Sequence, residues 1–176
     1  MEIDQMDSDP IGNRRQAGMQ ISDPMQMLEQ DHGTVRQLFQ RMFDSQAARV
    51  KHQCGLQILQ MLEMHTQLED ACFYPSVEQV DPQLIAHSRQ EHEEADQLIQ
   101  QLKGMDLSDP RCEDLFRQLA DSVLHHIEEE ESNLFPKVRQ SSCDLEAIAM
   151  EMQSWEANMV GDMARSSDRS GMRPGS

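Results

Sequence analysis

Four histidines occupy corresponding positions on four amphipathic segments of the 176-residue sequence, and they are His32, His65, His92 and His126. Two of them are followed four residues later by a glutamate, which gives the pairs His65–Glu69 and His126–Glu130. A helix turns by about 400° over four residues, so both members of a pair project from one face, about 6 Å apart along the axis. Both pairs can therefore reach one common site.

Each of these histidines falls on the apolar stripe of its segment, where an imidazole without a partner would be costly to bury. A single histidine on such a stripe is most often a hydrogen-bonded core residue. Four of them, in phase with two glutamates, are hard to explain as independent packing choices, because a buried glutamate is rarely left unpaired. The set therefore favours a metal site with the ligands His32, His65, Glu69, His92, His126 and Glu130. Imidazole and carboxylate donors without a thiolate suit iron or manganese, whereas a structural zinc site needs fewer ligands.

The elements that must position these side chains are predicted to be helices. Three Asp-Pro pairs mark helix starts, because aspartate caps a helix and proline fits its first position; they are Asp23-Pro24, Asp81-Pro82 and Asp109-Pro110. The apolar spacing predicts helices over Pro24 to Phe43, Ala47 to Tyr74, Pro82 to Lys103, Pro110 to Phe135 and, shorter, Leu145 to Val160. Pro75 and Pro136 are predicted to end the second and fourth helices.

The sequence also repeats itself with a spacing of about 60 residues, because His32 corresponds to His92 and His65 to His126. The second and fourth helices share a further pattern, since each His-x-x-x-Glu pair is followed by an aromatic residue and a proline. Short connections between long helices favour antiparallel neighbours. We therefore predict an all-α fold, an up-down-up-down antiparallel four-helix bundle of two similar hairpins with an additional C-terminal helix.

Composition divides the chain into four predicted parts. Residues 1–21 and 165–176 mix polar residues without apolar periodicity, which predicts a disordered N-terminal segment and a disordered tail. Residues 22–138 are predicted to form the bundle. Residues 139–164 are predicted to form a C-terminal helix that packs on it.

The charge and cysteine content narrow the expected partners and location. A net charge of −17 repels phosphate backbones and anionic lipids, so we expect neither nucleic acid nor a membrane as a partner. No apolar run approaches the roughly 18–20 residues of a membrane span. The four cysteines are widely spaced, and the start of the chain has no basic and apolar signal segment. We therefore expect a soluble, cytoplasmic protein with reduced thiols.

The order of the motifs resembles the hemerythrin-like HHE cation-binding family, from about Met25 to Val138. The residues that carry the resemblance are His32, then His65-x-x-x-Glu69, then His92, then His126-x-x-x-Glu130, with an aromatic residue and proline after each pair. The resemblance implies a non-heme di-iron centre inside a four-helix bundle. Its cofactor would be two Fe ions with an oxo or hydroxo bridge, bridged by Glu69 and Glu130 and bound terminally by the four histidines.

The third and fourth helices depart from the pattern of the oxygen-carrying members of that family. Those members carry H-x-x-x-H on the third helix and H-x-x-x-x-D on the fourth. This chain has His92-x-x-x-Asp96 and His126-x-x-x-Glu130 instead. Asp96 is thus either a further metal ligand or a solvated residue at the edge of the bundle.

Three functions remain open at this point. The first is a di-iron protein that binds or senses oxygen or iron, with a small diatomic molecule or peroxide as its partner. The second is a di-iron oxidoreductase that consumes peroxide or nitric oxide, and the third is a metal-free structural or interaction bundle. No phosphate-binding loop or nucleophile elbow is present, so we favour the first function and assign no catalytic and no organic-cofactor residue. The sequence does not identify a protein partner.

Overall fold

Helices form almost all of residues 21–170, the part of the chain that the computed structural model describes. They are α1 (Pro24–Asp44), α2 (Ala48–Leu68), α3 (Tyr74–Val77), α4 (Pro82–Lys103), α5 (Arg111–Glu129), α6 (Phe135–Arg139) and α7 (Leu145–Ser170). Two π-helical turns, Glu69–Phe73 and Glu130–Leu134, join α2 to α3 and α5 to α6 without a break. No strand occurs within residues 21–170, so the predicted all-α class is confirmed.

Aspartate caps begin two of the long helices, as predicted. Oδ1 of Asp23 and Oδ1 of Asp81 accept backbone N–H bonds from the first turns of α1 and α4, at 2.9 and 3.0 Å. The third Asp-Pro pair acts slightly differently, because α5 begins after Pro110 rather than at it. Its first residue, Arg111, donates its backbone N–H to Oδ1 of Asp109 at 2.9 Å. The pair therefore marks the helix start but stands outside the helix.

The prediction that Pro75 and Pro136 end the second and fourth helices is wrong. Both helical segments continue past their proline, in α3 and α6. A proline ring normally clashes with the carbonyl four residues earlier and removes a backbone donor. Here each proline follows a π turn, whose hydrogen bonds reach five residues back, as from the Tyr74 N–H to the Glu69 carbonyl. The wider turn accommodates the ring, so the helix axis continues.

The four long helices close into the predicted antiparallel bundle. Helix α1 packs against α2 and α5, and helix α4 packs against α5 and α2. Helix α7 packs across α1, α2 and the first π turn, which confirms an additional C-terminal helix on the bundle. None of the helices in residues 21–170 combines the length and the apolar character needed to cross a bilayer.

The predicted ends of the ordered region differ from the structure at both boundaries. Helix α7 continues past Val160 to Ser170, so the residues 165–170 that were assigned to a disordered tail are helical. At the other end, Ile21 is buried, and its carbonyl accepts a bond from Nε2 of Gln153 at 2.8 Å. Residues 1–20 and 171–176 lie outside the described residues.

The core consists of two apolar clusters with a polar layer between them. One cluster includes Val35, Phe39, Ile58, Leu62, Ile99, Phe116 and Val123, and the other includes Met25, Leu28, Leu68, Phe73, Ile85, Phe135 and Met152. Burial of each large apolar side chain contributes about 1.5–3 kcal/mol, so these clusters stabilise the bundle. Along each long helix one cluster gives way to the other near the predicted metal-binding histidine, which places all four histidines in the polar layer.

Candidate metal centre

The six predicted ligands lie together in this polar layer, and none is more than 6% exposed. Their donor atoms form two groups that share Glu69. The first group contains His32, His65, Glu69 and Glu130, and the second contains Glu69, His92 and His126. Within each group the donor atoms lie within 4.8 Å of one another, so either group can surround one ion.

Each hairpin brings its two histidines into a close pair. The Nε2 atoms of His32 and His65 lie 3.2 Å apart, and those of His92 and His126 lie 3.1 Å apart. Oε2 of Glu69 lies 3.3 Å from Nε2 of His65 and 3.1 Å from Nε2 of His92. A single carboxylate therefore touches one histidine from each hairpin.

Glu130 occupies the corresponding place in the second hairpin. Its Oε2 lies 3.5 Å from Nε2 of His126, on its own hairpin, and 3.5 Å from Nε2 of His32 on the other. Two carboxylates thus lie between two histidine pairs, which is the arrangement by which carboxylates bridge paired metal ions in helical bundles.

Each histidine also turns its second ring nitrogen, Nδ1, towards a carboxylate. The pairs are His32 with Glu131 at 2.9 Å, His65 with Asp31 at 3.3 Å, His92 with Asp70 at 3.4 Å and His126 with Glu91 at 2.9 Å. An ionised carboxylate only accepts hydrogen bonds, so each Nδ1 must carry a hydrogen. In the neutral imidazole this leaves a lone pair on Nε2, pointing at the centre, as in metal-bound histidines with carboxylate partners.

The sequence analysis did not predict these four outer carboxylates, although their positions follow a regular pattern in the sequence. Each is the chain neighbour of a predicted ligand: Asp31 precedes His32, Glu91 precedes His92, Asp70 follows Glu69 and Glu131 follows Glu130. The acidic neighbours therefore obey the same internal repeat as the ligands. Their partners could not be read from the sequence, because two of the four hydrogen bonds cross from one hairpin to the other.

Bound cations would satisfy the six donor side chains better than hydrogen bonds among these side chains do. With hydrogens held on Nδ1, the paired Nε2 atoms lie 3.1–3.2 Å apart, and either a proton on one of them or a bound cation must separate their lone pairs. Oε1 of Glu69 and Oε2 of Glu130 are buried and accept no hydrogen bond from the described residues. Buried acceptors without a donor are costly, and a bound cation satisfies them.

Tyr74 is a further site residue that the sequence did not reveal. Its side chain is fully buried, and its hydroxyl donates to Oε1 of Glu130 at 2.6 Å. The same oxygen lies 3.4 Å from Oε2 of Glu69 and 3.3 Å from Nε2 of His92. Burial, together with the charges of both glutamates, holds the pKa of Tyr74 well above its ordinary value, so the hydroxyl remains a donor.

The π turns explain why an aromatic residue reaches the centre. Each wide turn spans five residues, so the residue five positions after Glu69 or Glu130 returns to the inner face of the helix. In the second hairpin that residue is Phe135, which stacks on the His32 ring with centroids 5.8 Å apart. At this position the two halves of the centre therefore differ by one hydroxyl, which Tyr74 supplies and Phe135 lacks.

The two central glutamates differ in charge state. Burial and the charge of Glu69 raise the pKa of Glu130 to about 7. Burial also acts to raise the pKa of Glu69, but the charge of His65 and hydrogen bonds with His65 and His92 hold it well below its ordinary value. Glu69 is thus a carboxylate at neutral pH, while Glu130 exchanges a proton there.

The histidines compete for the same protons. Burial acts to lower the pKa of His92, but hydrogen bonds with Asp70 and Glu69 outweigh it and raise the pKa to about 9. Burial is likewise outweighed at His65, whose pKa lies well above the ordinary value because of Glu69 and Asp31. Without metal, protons on these nitrogens balance the negative charge of the buried carboxylates.

A small cavity adjoins the Nε2 atoms on the side of the first apolar cluster. It is lined by all four histidines and by apolar side chains that include Val35, Leu62, Ala95 and Val123. The space open to the centre of a water-sized molecule is about 20 Å³. Since one water needs roughly 10–15 Å³ on this measure, the cavity admits one very small molecule.

Asp96 lies away from both metal-ligand groups. Its side chain is exposed on α4, where Oδ1 accepts a hydrogen bond from Nε2 of Gln100 at 3.1 Å. It lines an open groove between α2 and α4 rather than the cavity beside the histidines. Of the two readings left open for Asp96, the structure therefore supports the surface residue.

The fourth long helix, α5, carries two adjacent histidines, His125 and His126, and only His126 lies on its apolar stripe. The side chain of His125 is 65% exposed, whereas that of His126 is 8% exposed and reaches His92. The position of His126 on the apolar stripe of α5 thus indicated correctly which of the two histidines lies beside the other predicted ligands.

Comparison with known proteins agrees with this architecture. The sequence profile of the hemerythrin HHE cation binding domain matches residues 23–138. The chain belongs to this family. The resemblance that the motif order indicated is therefore confirmed, and so is a cation-binding type of domain for the bundle.

Two relatives of this hemerythrin HHE chain extend the comparison. The crystal structure of a hemerythrin HHE cation binding domain-containing protein from Mycobacterium kansasii superposes with a TM-score of 0.69 at 21% identity, covering 85% of this chain and 94% of that one. This likeness shows the shared fold. A DNA nickase from Nostoc sp. is 32% identical over 127 residues, which are 70% of this chain but only 34% of the relative. The match thus spans about a third of that protein.

Proposed function

We propose that this hemerythrin-family chain binds two iron ions in the polar layer of its bundle and uses them to bind or sense a small molecule such as oxygen or peroxide. Glu69 and Glu130 bridge the ions in this proposal, and the four histidines are their terminal ligands. The geometry of the donor atoms supports a pair of ions, because two ligand groups share one carboxylate.

A single observation carries the proposal: two close pairs of histidine Nε2 atoms lie around buried carboxylates. Nitrogen and oxygen donors without sulfur favour iron or manganese over the metals that prefer thiolates. The described cysteines are free, but no thiol belongs to either central group. The four outer carboxylates raise the basicity of the imidazoles, which favours the higher oxidation states of a bound metal.

The residues around the centre suit a small ligand rather than an organic substrate. Iron would supply redox chemistry and open coordination positions. The cavity beside the four histidines has room for a molecule of about the size of water. Tyr74, which does not line this cavity, keeps a proton close to Glu130 and Glu69.

We propose no action on DNA for this chain, although one relative is a DNA nickase. The matched region is about a third of that relative, so the named activity can reside elsewhere in it. The net charge of −17 also opposes binding to a phosphate backbone.

Metal analysis and spectroscopy test the proposal. The protein is purified without oxygen, loaded with Fe²⁺ and freed of excess metal, and we expect two iron ions per chain. Exposure to air should then produce near-ultraviolet absorption from an oxo-bridged ferric pair. The matched control, His52→Ala, changes an exposed histidine elsewhere on α2 and should keep both ions.

Three results would contradict the proposal or redirect it. One iron per chain, or zinc alone in a colourless protein, excludes the di-iron centre. Steady-state consumption of peroxide or nitric oxide by the iron-loaded protein would assign a redox enzyme instead of a binding or sensing protein.

A further inference from the structure

A second group of metal-ligating side chains lies on the surface between α4 and α5. It consists of two pairs with four-residue spacing, His87–Glu91 on α4 and His125–Glu129 on α5, and we call these four residues the surface cluster. Both histidines are at least half exposed, and the Glu129 side chain is 33% exposed. None of the four belongs to the central ligand groups.

The donor atoms of the surface cluster converge from both helices. Nε2 of His87 lies 3.1 Å from Oε2 of Glu129 and 3.5 Å from Oε1 of Glu91. Nε2 of His125 approaches the same two carboxylates, at 3.8 Å from Glu91 and 3.9 Å from Glu129. The two carboxylates thus lie between the two imidazoles.

These separations match the first coordination sphere of a divalent ion. Metal–ligand bonds of roughly 2.0–2.2 Å place neighbouring donor atoms about 2.8–3.6 Å apart in octahedral or tetrahedral geometry. The distances from His87 already fall in this range. The donor atoms of His87, Glu91 and Glu129 lie within 4.8 Å of one another, whereas His125 is outside this group and its exposed side chain must move inward to coordinate.

Glu91 is the member that separates this cluster from an ordinary solvated surface. Its side chain is only 10% exposed, yet Oε1 faces the two surface histidines. Its other oxygen, Oε2, accepts a hydrogen bond from Nδ1 of His126 at 2.9 Å. One carboxylate therefore joins the surface cluster to a ligand of the central site.

We propose that the surface cluster binds one divalent transition-metal cation, separate from the two ions of the central site. Two imidazoles and two carboxylates suit ions of the Fe²⁺, Co²⁺ and Zn²⁺ class rather than Ca²⁺ or Mg²⁺, which prefer oxygen alone. Water completes the coordination, since the cluster faces solvent. A cation on Oε1 of Glu91 draws negative charge away from Oε2 and makes His126 a weaker donor to the centre.

Equilibrium dialysis against Co²⁺ tests the site, with the number of bound ions per chain as the readout. We expect His87→Ala to bind one Co²⁺ fewer than the parent chain, and Glu129→Gln to show the same loss. His52→Ala is the matched control, because it removes another exposed histidine of the bundle, and it should bind as many ions as the parent.

The readout is a difference between two proteins, so it stays at one ion whether the central groups hold two ions or none. Equal Co²⁺ numbers in the parent and His87→Ala would overturn the surface site without touching the proposed function. Loss of the central ions from every protein, with the difference of one ion preserved, would contradict the proposed function and support the surface site.

A second measurement tests the link through Glu91, and this step rests on the proposed function. Zn²⁺ added to the di-iron protein should shift its near-ultraviolet absorption, and His87→Ala should abolish the shift. An equal response to Zn²⁺ in the parent and in His87→Ala, including no change in either spectrum, would overturn the link.

Discussion

Nδ1 of His32 lies 2.9 Å from Oε1 of Glu131, so a carboxylate of the second hairpin orients a predicted ligand histidine of the first. Glu131 is held in turn by Arg36, whose guanidinium donates to both carboxylate oxygens at 3.1 and 2.9 Å. The hydrogen bond with His32, aided by Arg36, lowers the pKa of Glu131 to about 2. Glu131 thus remains a carboxylate at neutral pH, whereas burial holds the pKa of His32 below its ordinary value, so a neutral imidazole donates to a charged acceptor.

The first prediction follows from that contact. Glu131→Gln keeps an oxygen that can accept from His32 but removes the negative charge, and loss of an outer carboxylate typically weakens metal binding about 10–100-fold. Competition with a chromogenic chelator measures the change. Glu128→Gln, an exposed neighbour on α5, is the control and should bind like the parent. Equal affinity of both variants would mean that Glu131 does not tune the centre.

The second prediction concerns the sharing of Glu69 by both ligand groups. Glu69→Ala should lose both ions, because each group is left with an incomplete donor set. His32→Ala removes a donor from the first group alone, and it should retain about one ion per chain. The number of iron ions per chain distinguishes the two variants, and circular dichroism checks that each variant is folded. Equal losses in the two variants would contradict a bridging role for Glu69.

The third prediction is that iron binding weakens as the pH is lowered from about 9 to 6. Below pH 9 the metal-free protein carries a proton on His92, and below about 7 it also carries one on Glu130. A ligand must lose its proton to coordinate, so each displaced proton lowers the affinity by up to about tenfold per pH unit. Calorimetry in buffers of different ionisation enthalpy counts the released protons. Binding without proton release at pH 6 would refute the proposed ligands.

The fourth prediction tests the hydroxyl of Tyr74. Tyr74→Phe leaves Oε1 of Glu130 buried without its donor, and a hydrogen bond to a charged group contributes about 1.5–3 kcal/mol. We expect the free energy of unfolding to fall by about that amount at pH 8, where Glu130 is ionised. Urea unfolding of the metal-free protein gives the value. A change below about 0.5 kcal/mol would show that the contact contributes little.

The fifth prediction concerns Asp96. Because its side chain is exposed and bonded to Gln100, Asp96→Ala should bind azide at the centre with the rate of the parent protein. Stopped-flow mixing of the iron-loaded proteins measures this rate. Faster azide binding by the variant would mean that Asp96 occupies a coordination position, and the surface reading would then be incorrect.

Much of the fold was predictable because it depends on local helix physics. Apolar residues at three- and four-residue steps, together with Asp-Pro caps, placed α4 at its observed bounds and α1 within one residue of its observed end. The same periodicity distinguished His126 from His125, since one residue along a helix is a rotation of about 100°. The internal repeat then predicted two hairpins, which the structure forms.

The π turns were not predictable in this way, because the sequence signal for proline is ambiguous. The sequence predicted that helices end at Pro75 and Pro136. Both helical segments instead continue past their proline, which follows a wider turn. Without the wide turn, the position of Tyr74 on its helix would not place its hydroxyl beside Glu130. Tyr74, which the sequence placed at the end of a helix, therefore lies among the predicted metal ligands.

The sequence by itself determined which six residues face inward, because four-residue spacing on an amphipathic helix sets the direction of each side chain. Only the tertiary structure decided what each of them meets there. The carboxylates of Asp70 and Glu131 reach His92 and His32 across the boundary between hairpins, and Glu91 divides its two oxygens between the centre and the surface. Such contacts depend on how neighbouring helices are rotated against each other, and packing of the two apolar clusters sets that rotation.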